Sequence, residues 1–148
     1  MGSFKDLLGS GQIQKLFNVG LGKGDVFISD FEGIDHLKMF IVIGISKNTV
    51  LTCSVFINSE VHPFIARNQE LLSLQIPILK SDNPFLNHDS YASCNSPIKS
   101  STTNIQNKIT DKSCRVIGKI CEKDVTTITA TLVNSGVLSP EEIELYFR

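Results

Sequence analysis

The chain has 148 residues, 41% of them hydrophobic, which fits one domain able to bury roughly two-thirds of the surface its unfolded chain exposes. Its 14 basic and 15 acidic residues give a net charge of -1 with no long block of one sign, which argues against a dedicated duplex-DNA binder. The longest apolar run, Met39 to Ile45, falls far short of the roughly 18 residues that cross a bilayer, and Met1 to Gly22 lacks a continuous apolar core with a small-residue cleavage site, so the expectation is a cytoplasmic protein with no membrane partner.

Two regions are expected: an N-terminal arm over 1–22 and a single domain over 23–148. In the arm, Phe4, Leu7, Leu8, Ile13, Leu16 and Phe17 recur at spacings compatible with short helical turns, interrupted at Gly9, Ser10 and Gly11. Such an arm packs on its own domain or docks on a partner. Gly20, Gly22 and Gly24 invite comparison with a phosphate loop, but no strand precedes them and no helix follows.

Gly24-Asp25 opens a strand with Val26 and Ile28 on one face and Phe27, Ser29 and Phe31 on the other. Lys38 to Ser46 and Thr49 to Ser59 are apolar and rich in β-branched residues, so three strands build an antiparallel sheet before any strong helix signal. Leu71 to Leu79 alternates and reads as a further strand, placed at an edge by Pro77, which has no backbone donor. From Lys80 to Ile117 the composition turns to Ser, Asn, Thr and Asp; only Asp89 to Cys94 reads as a strand, and Asn95 to Thr103 as a surface loop. Arg115 to Cys121 alternates again and gives the last strand. Val125, Ile128, Leu132 and Val133 then form a helical stripe that Gly136 stops, and Ser139-Pro140-Glu141-Glu142 carries the capping signature of a final helix through Tyr146.

Candidate chemistry is sparse. Cys53, Cys94, Cys114 and Cys121 form no C-x-x-C pair, so neither a zinc ribbon nor a redox motif is expected, and reduced thiols are the default. His36, His62 and His88 are the only histidines; His88-Asp89 reads either as a turn that satisfies backbone groups or, like His36, as a general base for a ribose hydroxyl. No two of them share the helical i, i+4 spacing of a metal pair, and no metal or other cofactor is expected. Ser59 lies in Asn-Ser-Glu without the glycine flanks of a nucleophile elbow. In Asn58 to Asn68, the polar Glu60, His62 and Arg67 surround the apolar Val61, Phe64 and Ile65, a mixture that suits a loop folded onto the domain or a partner-binding surface.

The Gly24-Asp25 strand, the two core strands after it, Asp89-Ser90-Tyr91, the Gly118-Lys119-Ile120 strand end and the closing helix together resemble the PemK/MazF family of type II toxins. That resemblance implies an α+β, mainly β fold: a small SH3-like, PemK-like antiparallel barrel, here with an N-terminal helical arm and C-terminal helices. It also implies metal-independent endoribonuclease activity on single-stranded RNA, a homodimer, and an antitoxin peptide as protein partner. The family's toxins use an arginine at the start of the second strand and a threonine or serine at the end of the third. Lys38 stands at the first position and Ser59 at the second. The implied catalytic set is Lys38, Ser59 and His36, with Asn58, Glu60, His62 and Arg67 binding RNA or a partner. Lysine supplies the charge of arginine without its planar fork of donors, so a non-catalytic barrel that acts as an interaction or regulatory module stands as the alternative.

Overall fold

The computed structural model describes residues 21–30, 36–111 and 113–148. The arm expected over 1–22 lies outside the described residues as far as residue 20, and so do residues 31–35, between the first two strands.

Three strands, β1 (Asp25–Ser29), β2 (Lys38–Ile45) and β3 (Leu51–Asn58), form an antiparallel meander. Gly24 takes φ +96° at the entry, a left-handed conformation that glycine adopts at no steric cost, and turns the chain into β1. Cross-strand register then sorts the side chains. Val26, Ile41 and Val55 line up on one face, and Phe27, Phe40 and Phe56 on the other, with the Phe27 and Phe40 rings stacked 5.4 Å apart.

After β3, two single-turn helices, α1 (Pro63–Ala66) and α2 (Gln69–Leu72), precede β4 (Gln75–Ile78). The strand expected over 71–79 is therefore shortened at its start. Asn68 Oδ1 accepts from the Leu71 N–H at 3.2 Å and caps a helical turn there, a local bond that overrides the alternation. Pro77 does sit on an edge strand, since among the described residues β4 pairs only with β5 (Ser90–Ser101).

β5 has 12 residues and runs through the segment expected to be a loop. Its register against β3 jumps from Phe56↔Ser93 to Ser54↔Ile98, so Pro97 falls in the bulge, where the ladder asks for no donor. It leads into α3 (Thr102–Thr110), which the sequence did not signal. Ser101 caps that helix by accepting from the Asn104 N–H at 3.1 Å. β6 (Cys114–Lys119), α4 (Glu122–Asn134) and α5 (Pro140–Phe147) complete the chain. The helix expected from the Val125 stripe and the capping box at Ser139 are both present, and Gly136 ends the former stretch at φ +84°.

The fold is α+β and mainly strand: a six-stranded antiparallel sheet in the order β4-β5-β3-β2-β1-β6. The sheet is open rather than a closed barrel. Closure would require β4 and β6 to pair, and among the described residues each is hydrogen-bonded to one neighbour only. Helices cover both faces. α4 and α5 bury Ile128, Leu132 and Tyr146 against Val26, Ile41, Ile43, Val55 and Ile57, each full aliphatic burial contributing about 1.5–3 kcal/mol. Gly44 permits the close approach of α5, because a Cβ there would stand 2.9 Å from Tyr146 Cβ. On the other face α3 adds Ile105 to Phe27, Phe40, Val42 and Cys114.

Cys121 occupies the N-cap of α4 and makes no side-chain cap bond, while its own backbone N–H is taken by Asn83 from a distant loop. Its Oδ1 accepts from the Cys121 N–H at 2.8 Å, while its Nδ2 donates to Asp124 Oδ2 at 2.8 Å and Leu79 O at 3.0 Å. In a capping box the N3 carboxylate reaches back to the N-cap N–H. Here Asp124 is at N3 and the contact is relayed through Asn83.

Candidate functional site

Antiparallel order brings the start of β2 and the end of β3 to the same end of the sheet. Lys38 faces Ser29 across one ladder, while Met39 faces Ile57 across the other, which puts Lys38 beside Asn58. The Lys38 Nζ donates to Asn58 Oδ1 and lies 5.3 Å from the centroid of the Phe56 ring. Partial burial lowers the Lys38 pKa, because the ammonium loses hydration there. One of its three donors is taken by Asn58, which leaves others for a ligand.

These residues open onto a cleft of about 360 Å³, lined by Lys38, Asn58, Ser59, Glu60, His36 and His88 over an apolar floor that includes Ile28, Met39 and Ile57. Thus Lys38, Ser59, His36, Asn58 and Glu60, all singled out in the sequence, share one cleft. Ser59 and Glu60 are exposed just beyond β3.

His62 and Arg67 lie elsewhere. His62 is the N-cap of α1, where its Nδ1 accepts from the Phe64 N–H at 3.1 Å, and it lines a second depression of about 330 Å³ with Val61, Pro63, Ile65 and Gln75. Asn58 and Glu60 line both depressions and make them neighbours. Arg67 is exposed at the end of α1 and lines neither.

Two further residues gain a place from the structure. His88 precedes β5 and reaches the Lys38 cleft, where the sequence left it open between a turn with Asp89 and a general base. The turn is real: Asp89 Oδ1 accepts from the Lys80 N–H at 2.8 Å, and Ser90 Oγ donates to His88 O at 3.1 Å. Gln75 is buried at the second depression and donates through Nε2 to Ser93 Oγ (3.2 Å) and Asn95 Oδ1 (3.3 Å). The only sequence signal for it was a polar residue opening an apolar strand.

A third cavity, of about 370 Å³, lies between α3 and the sheet, lined by Phe40, Ile98, Ile105 and Lys108 among others. Among the described residues that line it there is no histidine or carboxylate, and Lys108 donates to Asp30 O at 3.0 Å. The thiols lie away from the cleft. Burial raises the pKa of Cys53 and of Cys94 to about 12, which keeps both protonated and unreactive. Among the described residues, no three or more His, Cys, Asp or Glu side chains converge on a possible metal position. No helix among them is long and apolar enough to cross a membrane. Neither the known protein families nor the curated proteins match this sequence.

Proposed function

We propose that the Lys38 cleft binds single-stranded RNA and cleaves it without a metal, the activity of a PemK/MazF-like, toxin-type endoribonuclease. One observation carries the reading: Lys38 and Ser59, from the start of the second strand and just past the end of the third, line one cleft, with Lys38 anchored by Asn58. The reading takes the β1–β3 meander with the long β5 as the counterpart of the family's SH3-like barrel. A homodimer and an antitoxin peptide partner belong to the same proposal.

Lys38 Nζ, short of hydration, meets the scissile phosphate and offsets its charge. Ser59 Oγ donates to a second phosphate oxygen. His36 accepts the proton of the ribose 2′-hydroxyl, whose oxygen attacks phosphorus and expels the 5′-oxygen, leaving a 2′,3′-cyclic phosphate and a 5′-hydroxyl end. Asn58 and Glu60 lead toward the His62 depression, which takes a flanking nucleotide, and Arg67 meets the backbone beyond it. The test is incubation of the protein with mixed single-stranded RNA and EDTA beside a Lys38→Ala, Ser59→Ala variant. Cleavage lost in the variant supports the reading; no cleavage at high protein concentration overturns it.

A second reading, a non-catalytic interaction module, draws on Phe64, which is 66% exposed on α1. An exposed ring of that size next to Pro63 suits a protein contact. Under it, Phe64→Ala weakens partner capture, leaves stability intact, and RNA is not cut.

A further inference from the structure

His88 is not part of the catalytic set that the resemblance implies, yet it lines the same cleft as Lys38 and Ser59. Sheet order explains its position. β3 lies between β2 and β5, so His36, just ahead of β2, and His88, just ahead of β5, flank the end of β3 that carries Asn58 and Ser59. Two strand spacings separate the flanking strands, about 9.5 Å. That span suits a phosphorus atom with a reacting oxygen on either side, each hydrogen-bonded at about 2.8 Å. In-line displacement needs its proton acceptor and proton donor on such opposite sides.

The ring of His88 is anchored through one nitrogen. Nδ1 lies 3.0 Å from Asp89 O, and a carbonyl oxygen only accepts, so Nδ1 carries a proton; Ser90 Oγ stands 3.3 Å from the same nitrogen. Nε2 is left as the nitrogen through which a proton can pass. The charged and titratable groups around it on the cleft are Lys38, Glu60 and His36, with the Asp89 carboxylate on the turn behind accepting from the Lys80 backbone N–H.

We propose that His88 is the general acid of the cleft, which protonates the departing 5′-oxygen through Nε2. The inference rests on the RNA-cleavage reading above. As the bond from the 2′-oxygen to phosphorus forms, His36 receives the 2′-hydroxyl proton. As the bond from phosphorus to the 5′-oxygen breaks, the His88 ring, which enters the step protonated on both nitrogens, gives its Nε2 proton to that oxygen and keeps the one on Nδ1. Exchange with solvent then restores both rings, and no other reactant is consumed.

The test compares an RNA oligonucleotide with the same oligonucleotide carrying a bridging 5′-sulfur at the cleaved bond. Sulfur leaves as a thiolate and does not need an acid. On the oxygen substrate, His88→Ala and His88→Asn should slow cleavage by about 10²- to 10⁴-fold, and on the sulfur substrate both should approach the wild-type rate. His88→Asn keeps a donor for Asp89 O, so it preserves the turn if the alanine variant folds poorly. Lys38→Ala should stay slow on both substrates. Equal slowing of both substrates by the His88 variants would make His88 structural and overturn the proposal, as would wild-type rates on the oxygen substrate; in either case RNA cleavage by the wild type would still stand. A wild type that cuts neither substrate would remove both proposals together.

Discussion

Asn83 and Lys38 each reach from one element to another through a polar side chain, and they end in opposite circumstances. Asn83 is fully buried, and its amide is consumed by Cys121, Asp124 and Leu79 at 2.8–3.0 Å. Lys38 is half-buried beside Phe56, is tied to a single acceptor among the described residues, and faces a cleft with Ser59 and two histidines on its rim. A saturated buried node contributes stability, because loss of any member leaves the others unpaired away from water. A cation with donors to spare in an open cleft contributes little to the fold and keeps its hydrogen bonds for something that arrives. Under the proposed function, the two regions separate stability from binding.

The largest effect should appear at the cleft and only in function. Lys38→Ala should lower RNA cleavage by about 10²- to 10³-fold, the usual loss when one well-placed donor to a transition-state oxyanion is removed. Its folding stability should change by no more than ordinary surface substitutions do, about ±0.5 kcal/mol. Asn83→Ala should do the reverse. Stranding the Cys121 N–H and the Asp124 carboxylate costs about 1–3 kcal/mol, read by thermal or urea denaturation, with cleavage unchanged below the transition. If Asn83→Ala abolished cleavage at full stability, or Lys38→Ala unfolded the protein, the separation would be wrong.

The legibility of the two regions differs for the same physical reason. Lys38 and Ser59 could be located because a three-strand meander fixes which ends meet, and strand patterning survives in the sequence as β-branched alternation. α4 and α5 were legible through the Ile128 and Leu132 stripe and the Ser139-Pro140 cap. The Asn83–Asp124 contact joins residues 41 positions apart, and nothing local in Asp-Asn-Pro-Phe announces it. α3 was hidden by its Thr- and Asn-rich composition, whose low helix propensity is overridden by Ile105 packing into the sheet. The first part of β5 was legible as the Asp89 to Cys94 strand, but its continuation was hidden by Pro97, since a bulge opposite β3 cannot be foreseen from one strand alone. His88 was visible as a residue but not as a neighbour of Lys38, because the loop before β5 has no pattern that sets its direction.

A smaller effect sharpens the cleft side. Lys38→Arg restores the planar fork of donors and removes titration from the accessible range. Because desolvation lowers the Lys38 pKa, the wild type should lose affinity for single-stranded RNA at alkaline pH sooner than the ordinary lysine value of about 10.4 would imply. The arginine variant should hold its affinity across the same range, with equal or faster cleavage. Fluorescence anisotropy with a labelled oligonucleotide from pH ~7 to ~10, at constant ionic strength, checks this. Identical pH profiles for the two proteins would show that Lys38 does not carry the phosphate.

The smallest effect belongs to an exposed counterpart of the Asn83 node. Glu142 caps α5 through Ser139 and also accepts from Lys99 Nζ at 2.6 Å, so it too links distant elements, but in solvent. Its carboxyl is held below the ordinary carboxylate range, first by the Lys99 hydrogen bond and then by the Ser139 N–H. A depressed folded-state pKa means that the unfolded chain binds its proton first as pH falls. The contribution of Glu142 is therefore present above the ordinary glutamate value of about 4.3 and disappears as pH drops through the lower folded value. Glu142→Gln should lower Tm slightly at neutral pH, and the two Tm curves should converge in the acid range. Because solvent screens the pair, the neutral-pH gap should be smaller than that of Asn83→Ala and should narrow further in high salt. A gap as large as the Asn83 one, insensitive to salt, would mean that burial is not what separates the strong contacts of this fold from the weak.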